Sequence, residues 1–190
     1  MFLFGHAGLT LGAAALTAHF IKRPGEETST KAPWFARLSH HIDVRLLMVG
    51  ALLSDIIDKP LGIFVFGSTF HNGRIYAHTL LFLLVMAAAG YYLLKKRRQT
   101  WLITLAAGTF THLICDEMWQ ATVTLFWPLL GFKFPAYDMA GWFGNMFQAL
   151  ISKPYVYVSE AIGLGIVIWY AAWLISEHKV SAFLRRGKIT

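Results

Sequence analysis

Long apolar runs separated by short polar stretches make up most of the 190-residue chain. Each run is close to the ~20 apolar residues that cross a bilayer. We count five runs, which cover residues 2–20, 44–66, 74–94, 100–128 and 155–176. They lack the ten-residue alternation of an outer-membrane barrel strand. The pattern therefore predicts an all-α integral membrane protein with about five transmembrane helices, in which residues 1–190 form a single membrane-embedded domain.

The two longest connectors contain prolines and glycines. Residues 21–43 predict a polar loop that leads to a short amphipathic piece around WFARLSHHI. Residues 131–153 predict a loop that lies at the membrane surface. The first run lacks a basic segment before it and carries a histidine, so we expect a retained span rather than a signal peptide.

Composition supports a membrane protein, because 56% of the residues are hydrophobic and only 14% are charged. The net charge of +7 would suggest a nucleic-acid partner in a soluble protein. Here the basic residues lie between the apolar runs, so we expect membrane lipids as partners and no nucleic acid. The single cysteine, Cys115, excludes an internal disulfide and a cysteine-based zinc finger.

The distribution of lysine and arginine predicts the orientation. If the five runs cross the membrane in turn, 13 of these residues fall on one side and 4 on the other. The positive-inside rule then places the N-terminus outside and the C-terminus in the cytoplasm. The inner membrane of the cell is the expected location, as the family resemblance given below implies.

Ionisable residues inside the runs are the candidates for chemistry, since such residues usually face a bundle interior or an aqueous cavity. His19 falls at the cytoplasmic end and is expected to be structural. With ~1.5 Å of rise per residue, the others reach the outer half of the membrane: His6, Asp55, Asp58, His78, His112, Asp116 and Glu160. This common depth predicts one site that opens toward the outer leaflet.

The residue types in this layer suit a metal. His112 and Asp116 are four apart, so they share a helix face and could hold one cation, as could Asp55 and Asp58. Imidazole with carboxylate suits zinc, iron or manganese. We expect one or two divalent ions, with zinc favoured.

Two basic residues lie close to these groups in the sequence. Arg74 is expected to precede His78 by one helical turn, and its guanidinium would suit a phosphate or carboxylate. A snorkelling arginine at the interface is the alternative. Lys59, next to Asp58, has the same two interpretations.

Four motifs resemble those of the YdjM-type inner-membrane proteins, a family of predicted metal-dependent hydrolases. They are GHAGLTLG, GALLSDIIDKPLG, GRIYAHTLL and GTFTHLICD, and they follow the family's order between residues 6 and 128. The family is also similar to zinc-dependent phospholipase C, so the resemblance implies a phospholipase C-like helical bundle around a His/Asp metal site.

The resemblance implies a ligand set, although Asp55 could instead be the base that acts on water. The implied ligands are His6, Asp55, His78, His112 and Asp116. Asp58 stands one residue later than the family's second aspartate and is a possible ligand. Glu160 is a possible ligand by depth alone, with no motif behind it.

Together these features predict a membrane-embedded, metal-dependent hydrolase. The expected substrate is a lipid or another amphiphilic phosphoester, cleaved by metal-activated water. Asp55 and Arg74 are the expected catalytic residues, and Arg74 and Lys59 are expected to bind substrate. Two alternatives stay open: a metal or proton transporter, and a non-catalytic scaffold with a structural metal.

Overall fold

The computed structural model describes residues 2–20, 42–136 and 142–187, and within these ranges the chain forms helices and turns without β-strands. The prediction of an all-α protein is confirmed for these residues. The amphipathic piece predicted around WFARLSHHI lies, up to residue 41, outside the described residues.

Helices of very different lengths follow one another along the chain. In order they are α1 (Leu3–Phe20), α2 (Val44–Lys59), α3 (Gly67–Phe70), α4 (Leu80–Arg97), α5 (Trp101–Cys115), α6 (Thr122–Leu125), α7 (Trp142–Ser152), α8 (Pro154–Ser176) and α9 (Val180–Arg186). A π-helix over Pro60–Val65 continues α2, and 3₁₀ turns cover Tyr76–His78 and Met118–Gln120.

Two of the five apolar runs are interrupted where candidate residues lie. α5 ends at Cys115, and Glu117 has a left-handed backbone with φ of 52°, so residues 100–128 are not one helix. α4 begins only at Leu80, after Thr79 accepts a hydrogen bond from the amide of Phe82 as its N-cap. The expectation that Arg74 lies one helical turn before His78 is therefore wrong, because Arg74 lies in a loop and His78 in a 3₁₀ turn.

The predicted surface loop over residues 131–153 contains α7, so this prediction is corrected. Gly144 lies within α7 in open space, and the helix tolerates a glycine there. Pro154 does not break a helix but begins α8, a position where its missing amide is not needed.

Evidence for membrane insertion differs between the helices. By length and composition, α8 is the one described helix able to cross a membrane, and the apolar segments Leu3–Thr17 and Trp101–Cys115 are shorter. α8 leaves large apolar side chains more than half exposed, among them Ile168 and Ile175. Such a surface suits lipid better than water. The number of five spans stays a prediction.

Backbone contacts at glycines bring the helices close together. α1 packs on α2 and α8, α2 packs on α5, and α5 packs on α4. A Cβ on Gly8 would collide with the carbonyl of Gly163, and one on Gly108 with the carbonyl of Leu47. Small residues allow such close approach in helix bundles. His6 and His112 lie within four residues of these contacts, so both histidines are held at helix interfaces.

One end of the bundle has an apolar core, which we call the apolar end. Its buried residues come from α1, α2 and α8: Leu11, Ala15, Val44, Tyr170, Trp173 and Leu174. Asp43 caps α2 there by accepting hydrogen bonds from the amides of Arg45 and Leu46. The amide of Val44 donates to the carbonyl of Gly187, which ties the segment after α9 to the same end. The candidate site lies at the opposite ends of α1 and α2.

Candidate metal centre

Two buried histidines face each other at the candidate site. His78 and His112 are fully buried, and their Nε2 atoms lie 3.2 Å apart. His112 comes from the last turn of α5, and His78 from the 3₁₀ turn before α4. The loop and the helix thus place two imidazole nitrogens at one point inside the bundle.

The other nitrogen of each ring is already in use. His112 Nδ1 lies 2.7 Å from the carbonyl oxygen of Ala51, and His78 Nδ1 lies 2.7 Å from Oδ2 of Asp58. A carbonyl or a carboxylate accepts, so both Nδ1 atoms donate, and each neutral ring carries its lone pair on Nε2. Two lone pairs 3.2 Å apart repel each other unless a cation lies between them. The arrangement therefore calls for a shared proton or a metal.

His6 adds a third imidazole to the pair. Its ring stacks on that of His112 with centroids 4.1 Å apart. It is fully buried, and its Nε2 lies 3.1 Å from Oδ1 of Asp116, whereas no hydrogen bond is found for its Nδ1 among the described residues. A buried ring nitrogen without a hydrogen bond is costly, and coordination of a metal would satisfy it.

Two carboxylates complete the group. Oδ1 of Asp55 lies 3.6 Å from His78 Nε2 and 4.0 Å from His112 Nε2. Oδ2 of Asp116 lies 3.9 Å from His78 Nε2. Asp116 follows the last residue of α5, where the chain leaves the helix, which turns its carboxylate toward His6 as well as His78.

Each of these carboxylates also pairs with a basic side chain. Lys59 Nζ lies 2.6 Å from Oδ2 of Asp55, one turn later on α2. Arg74 donates across the site to Oδ2 of Asp116 at 2.7 Å. Lys59 and Arg74 are 33% and 42% exposed, so both cations border the site on its open side.

The donor atoms fit a metal by type and by spacing. Two sets of described residues place one donor each within 4.8 Å of one another, namely His6, Asp55 and His112, and His78, His112 and Asp116. Two ligands on one tetrahedral zinc at ~2.0–2.1 Å lie about 3.3 Å apart. The 3.2 Å between the two Nε2 atoms agrees with that spacing. The five ligands implied by the sequence motifs are thus brought together.

Asp58 does not join this group, contrary to the expectation that it shares a cation with Asp55. Its fully buried carboxylate accepts hydrogen bonds from the amides of Ile75, Ala77 and His78 and from His78 Nδ1. The loop before α4 needs acceptors for these amides, and Asp58 supplies them. Asp58 therefore lies behind His78 and orients its ring.

Glu160 also lies outside the group. Its carboxylate accepts from the amides of Phe2 and Phe4, at 2.6 and 3.1 Å. These amides begin α1 and have no partner within the helix, so a carboxylate there acts as a cap from a neighbouring helix. Glu160 lies level with the start of α1, but its carboxylate faces that helix start rather than the histidines.

Asn72 bears on the site although its sequence position did not suggest it. It is 2% exposed; its Oδ1 accepts from the amide of Arg74, and its Nδ2 donates to the carbonyl of Pro135. A Cβ on Gly62 would collide with the carbonyl oxygen of Asn72. Asn72 thereby fixes the loop that carries Arg74 against two other segments. In the sequence, Asn72 is marked only by the glycine that follows it, and an Asn-Gly pair indicates no more than a turn.

Comparisons with known proteins give one match. The model of the family described as YdjM inner membrane protein matches residues 1–182. No curated protein and no solved structure matches the chain. The similarity to phospholipase C therefore stays a prediction, whereas the predicted family is confirmed.

Proposed function

The chain belongs to the YdjM inner membrane protein family, and we propose that it is a membrane-embedded hydrolase with a divalent metal at the histidine cluster. The observation that carries the proposal is the 3.2 Å approach of His78 Nε2 and His112 Nε2, with both Nδ1 atoms already donating elsewhere. A shared proton would also relieve the repulsion of the two lone pairs, but the carboxylates of Asp55 and Asp116 beside them add the donors that a metal uses.

Five side chains would hold the ion, and zinc is the favoured one because the donors are imidazoles and carboxylates. These are His6, Asp55, His78, His112 and Asp116. When bound, the metal would polarise the scissile bond and activate water. Ala51 and Asp58 fix the rings of His112 and His78 through Nδ1, so the ligand nitrogens are oriented before any ion arrives.

Asp55 is the best candidate for a base among the carboxylates of the cluster. Its side chain is 15% exposed, compared with 3% for Asp116 and none for the histidines. A base must reach water, and Asp55 is the most open of these groups. Lys59 holds Oδ2 of Asp55, which leaves Oδ1 directed at the histidines and available to orient or deprotonate water.

Arg74 and Lys59 suit an anionic substrate. With neutral histidines, the three aspartates and the two basic residues give the site a formal charge of about −1, so one divalent ion would bring it to about +1. A phosphoester would meet the metal on one side and two partly exposed cations on the other. The planar guanidinium of Arg74 matches the oxygens of a phosphoryl group and would stabilise its developing charge.

The membrane setting supports an amphiphilic phosphoester, such as a lipid, as the substrate. α8 exposes a long apolar surface, and the cluster lies at the ends of α1 and α5 that the lysine and arginine distribution assigns to the outer leaflet. A lipid enters such a site from the bilayer with its head group at the level of the cations. The proposed orientation has the N-terminus outside and the C-terminus in the cytoplasm.

Transport of a metal ion or of protons is the rival function. A transport path would need polar groups beyond the cluster. Among the described residues, the opposite ends of α1, α2 and α8 are packed instead with the apolar residues of the apolar end. This packing favours hydrolysis over transport.

The test is metal-dependent cleavage of phospholipids and lipid phosphates by purified protein in detergent, with and without a chelator. We expect release of a phosphate-containing or phosphate product, and no release by His112→Ala. His178→Asn is the matched control, because it removes an exposed histidine at a left-handed position that asparagine tolerates.

Three outcomes would contradict the proposal. Full activity of His112→Ala would separate any hydrolysis from the cluster. Metal or proton flux into proteoliposomes without cleavage would favour the transporter. A tightly bound metal with neither cleavage nor flux would favour the structural scaffold.

A further inference from the structure

The two carboxylates of the cluster are used in the same way. Asp55 directs Oδ1 at the histidines and holds Lys59 with Oδ2, at 2.6 Å. Asp116 directs Oδ1 at His6, and its Oδ2 binds Arg74 at 2.7 Å. In sites with two metals, carboxylates commonly span the two ions through their two oxygens, and the ions lie about 3.5–4 Å apart. Here a protein cation already binds one oxygen of each carboxylate.

The histidines are limited to one ion for a separate reason. His78 and His112 each commit Nδ1 to a hydrogen bond, so each offers a single nitrogen. The two sets of donors that fit a metal both need His112. One lone pair binds one ion, so the two sets cannot be filled at the same time.

We propose that the cluster holds a single metal ion and that Lys59 and Arg74 take the place of a second one. This inference rests on the proposed metal site but not on hydrolysis. The charge that a second ion would bring to a phosphoryl group is supplied here by side chains that cannot dissociate. His112 is the shared ligand, and the ion draws its remaining ligands from both sets.

Metal stoichiometry tests the inference without any assay of activity. Purified protein is equilibrated with excess zinc or cobalt, freed of loosely bound ions, and analysed for metal and protein. We expect about one ion per chain for the wild type and close to none for His112→Ala. Two ions per chain would overturn the inference even if hydrolysis is found. No bound metal would overturn both this inference and the proposed function.

A second set of variants tests the role of the two cations. Lys59→Met with Arg74→Met keeps the bulk of both side chains and removes the charges that hold the two Oδ2 atoms. We expect the freed Oδ2 atoms to bind a second, weaker ion without a histidine, so the stoichiometry at high metal rises above one, whereas Lys59→Arg with Arg74→Lys stays at one. An unchanged value of one in the methionine variant would show that the cations do not occupy a second position. The cobalt absorption spectrum reports in each case whether the first site is intact.

The two proposals fail in different ways. One ion per chain without cleavage of any phosphoester contradicts the proposed function and leaves the single-ion site standing. Two ions per chain with metal-dependent cleavage contradict the single-ion site and leave the proposed function standing.

Discussion

The two ends of the bundle share α1 and α2 but are built by different chemistry. At the apolar end, α1, α2 and α8 meet through Leu11, Val44 and Tyr170. At the other end, α1, α2 and α5 meet through His6, Asp55 and His112, and His6 and His112 are as completely buried as Leu11. Burial of the apolar side chains at the first end is favourable, whereas burial of the polar side chains at the second end costs free energy.

This difference indicates which end serves folding and which serves function. Burial of an apolar side chain stabilises a fold by about 1.5–3 kcal/mol. Burial of histidines and carboxylates costs free energy unless each group is paired, and even paired groups contribute little net stability. Apolar burial therefore stabilises the contacts between the helices, at the apolar end and in a second core next to His112 that comprises Leu83, Met86, Ala106, Leu113 and Met118. The histidine cluster is a site that the rest of the fold has to support.

The largest expected effect comes from replacing the central histidine of the metal centre. His112→Ala removes the ligand that both donor sets share, so we expect it to lose bound metal and to reduce hydrolysis to background. Leu11→Ala at the apolar end should instead lower the free energy of unfolding by about 2–5 kcal/mol and leave metal content unchanged in the folded fraction. Metal analysis and unfolding in detergent, measured on both variants, check the contrast. Loss of bound metal in Leu11→Ala but not in His112→Ala would contradict this expectation.

A matched pair of arginines gives the next largest effect. Arg74 pairs with Asp116 at the metal centre, and Arg45 pairs with Asp43 at the apolar end, each at 2.7 Å. We expect Arg74→Gln to lower kcat about 10²–10³-fold, as loss of a donor to developing charge does, while metal content is kept. Arg45→Gln should leave kcat unchanged. Equal loss in both variants would make Arg74 a structural residue.

A matched pair of aspartates gives a smaller effect. Asp58 and Asp43 both accept hydrogen bonds from backbone amides, but only Asp58 also orients a histidine of the metal centre. Asp58→Asn should weaken metal binding about 10–100-fold, the usual cost of losing a partner behind a ligand. Asp43→Asn should lower the free energy of unfolding without weakening metal binding. Titration of each variant with zinc against a competing chelator measures the affinities.

Glu160→Gln should have the smallest effect. Its carboxylate caps the start of α1, so loss of its charge should lower the free energy of unfolding by about 1 kcal/mol. Zinc affinity should not change. A large loss of zinc affinity would show that Glu160 is a ligand and that its place as a cap is secondary.

The sequence predicted the members of the metal centre better than their surroundings. His6, Asp55, His78, His112 and Asp116 are brought together as expected. The prediction rested on counting charges for orientation and residues for depth, which compares positions along helices. Depth does not give the direction in which a side chain points around its helix. Glu160 lies at the expected depth yet faces the start of α1.

The misplaced residues depend on backbone groups that a sequence does not display. The loop before α4 has amides without helical partners, and that need decides the role of Asp58. Asn72 was missed for the same reason, since its bonds go to Arg74 and Pro135 on separate segments. α7 was taken for a loop because Gly144 and Pro154 disfavour helix interiors, but Gly144 lies in the first turn of α7 and Pro154 begins α8.

The place of His6 in the chain has a consequence for assembly. His6 and Asp116 lie about 110 residues apart, and an ion bound by both would close that loop. By chain-entropy arguments, closing a loop of this length removes about 4 kcal/mol of conformational freedom from the unfolded chain. The bound ion would then link α1 to the end of α5 and stabilise the folded state. The supply of metal would then set the amount of folded protein as well as the occupancy of the site.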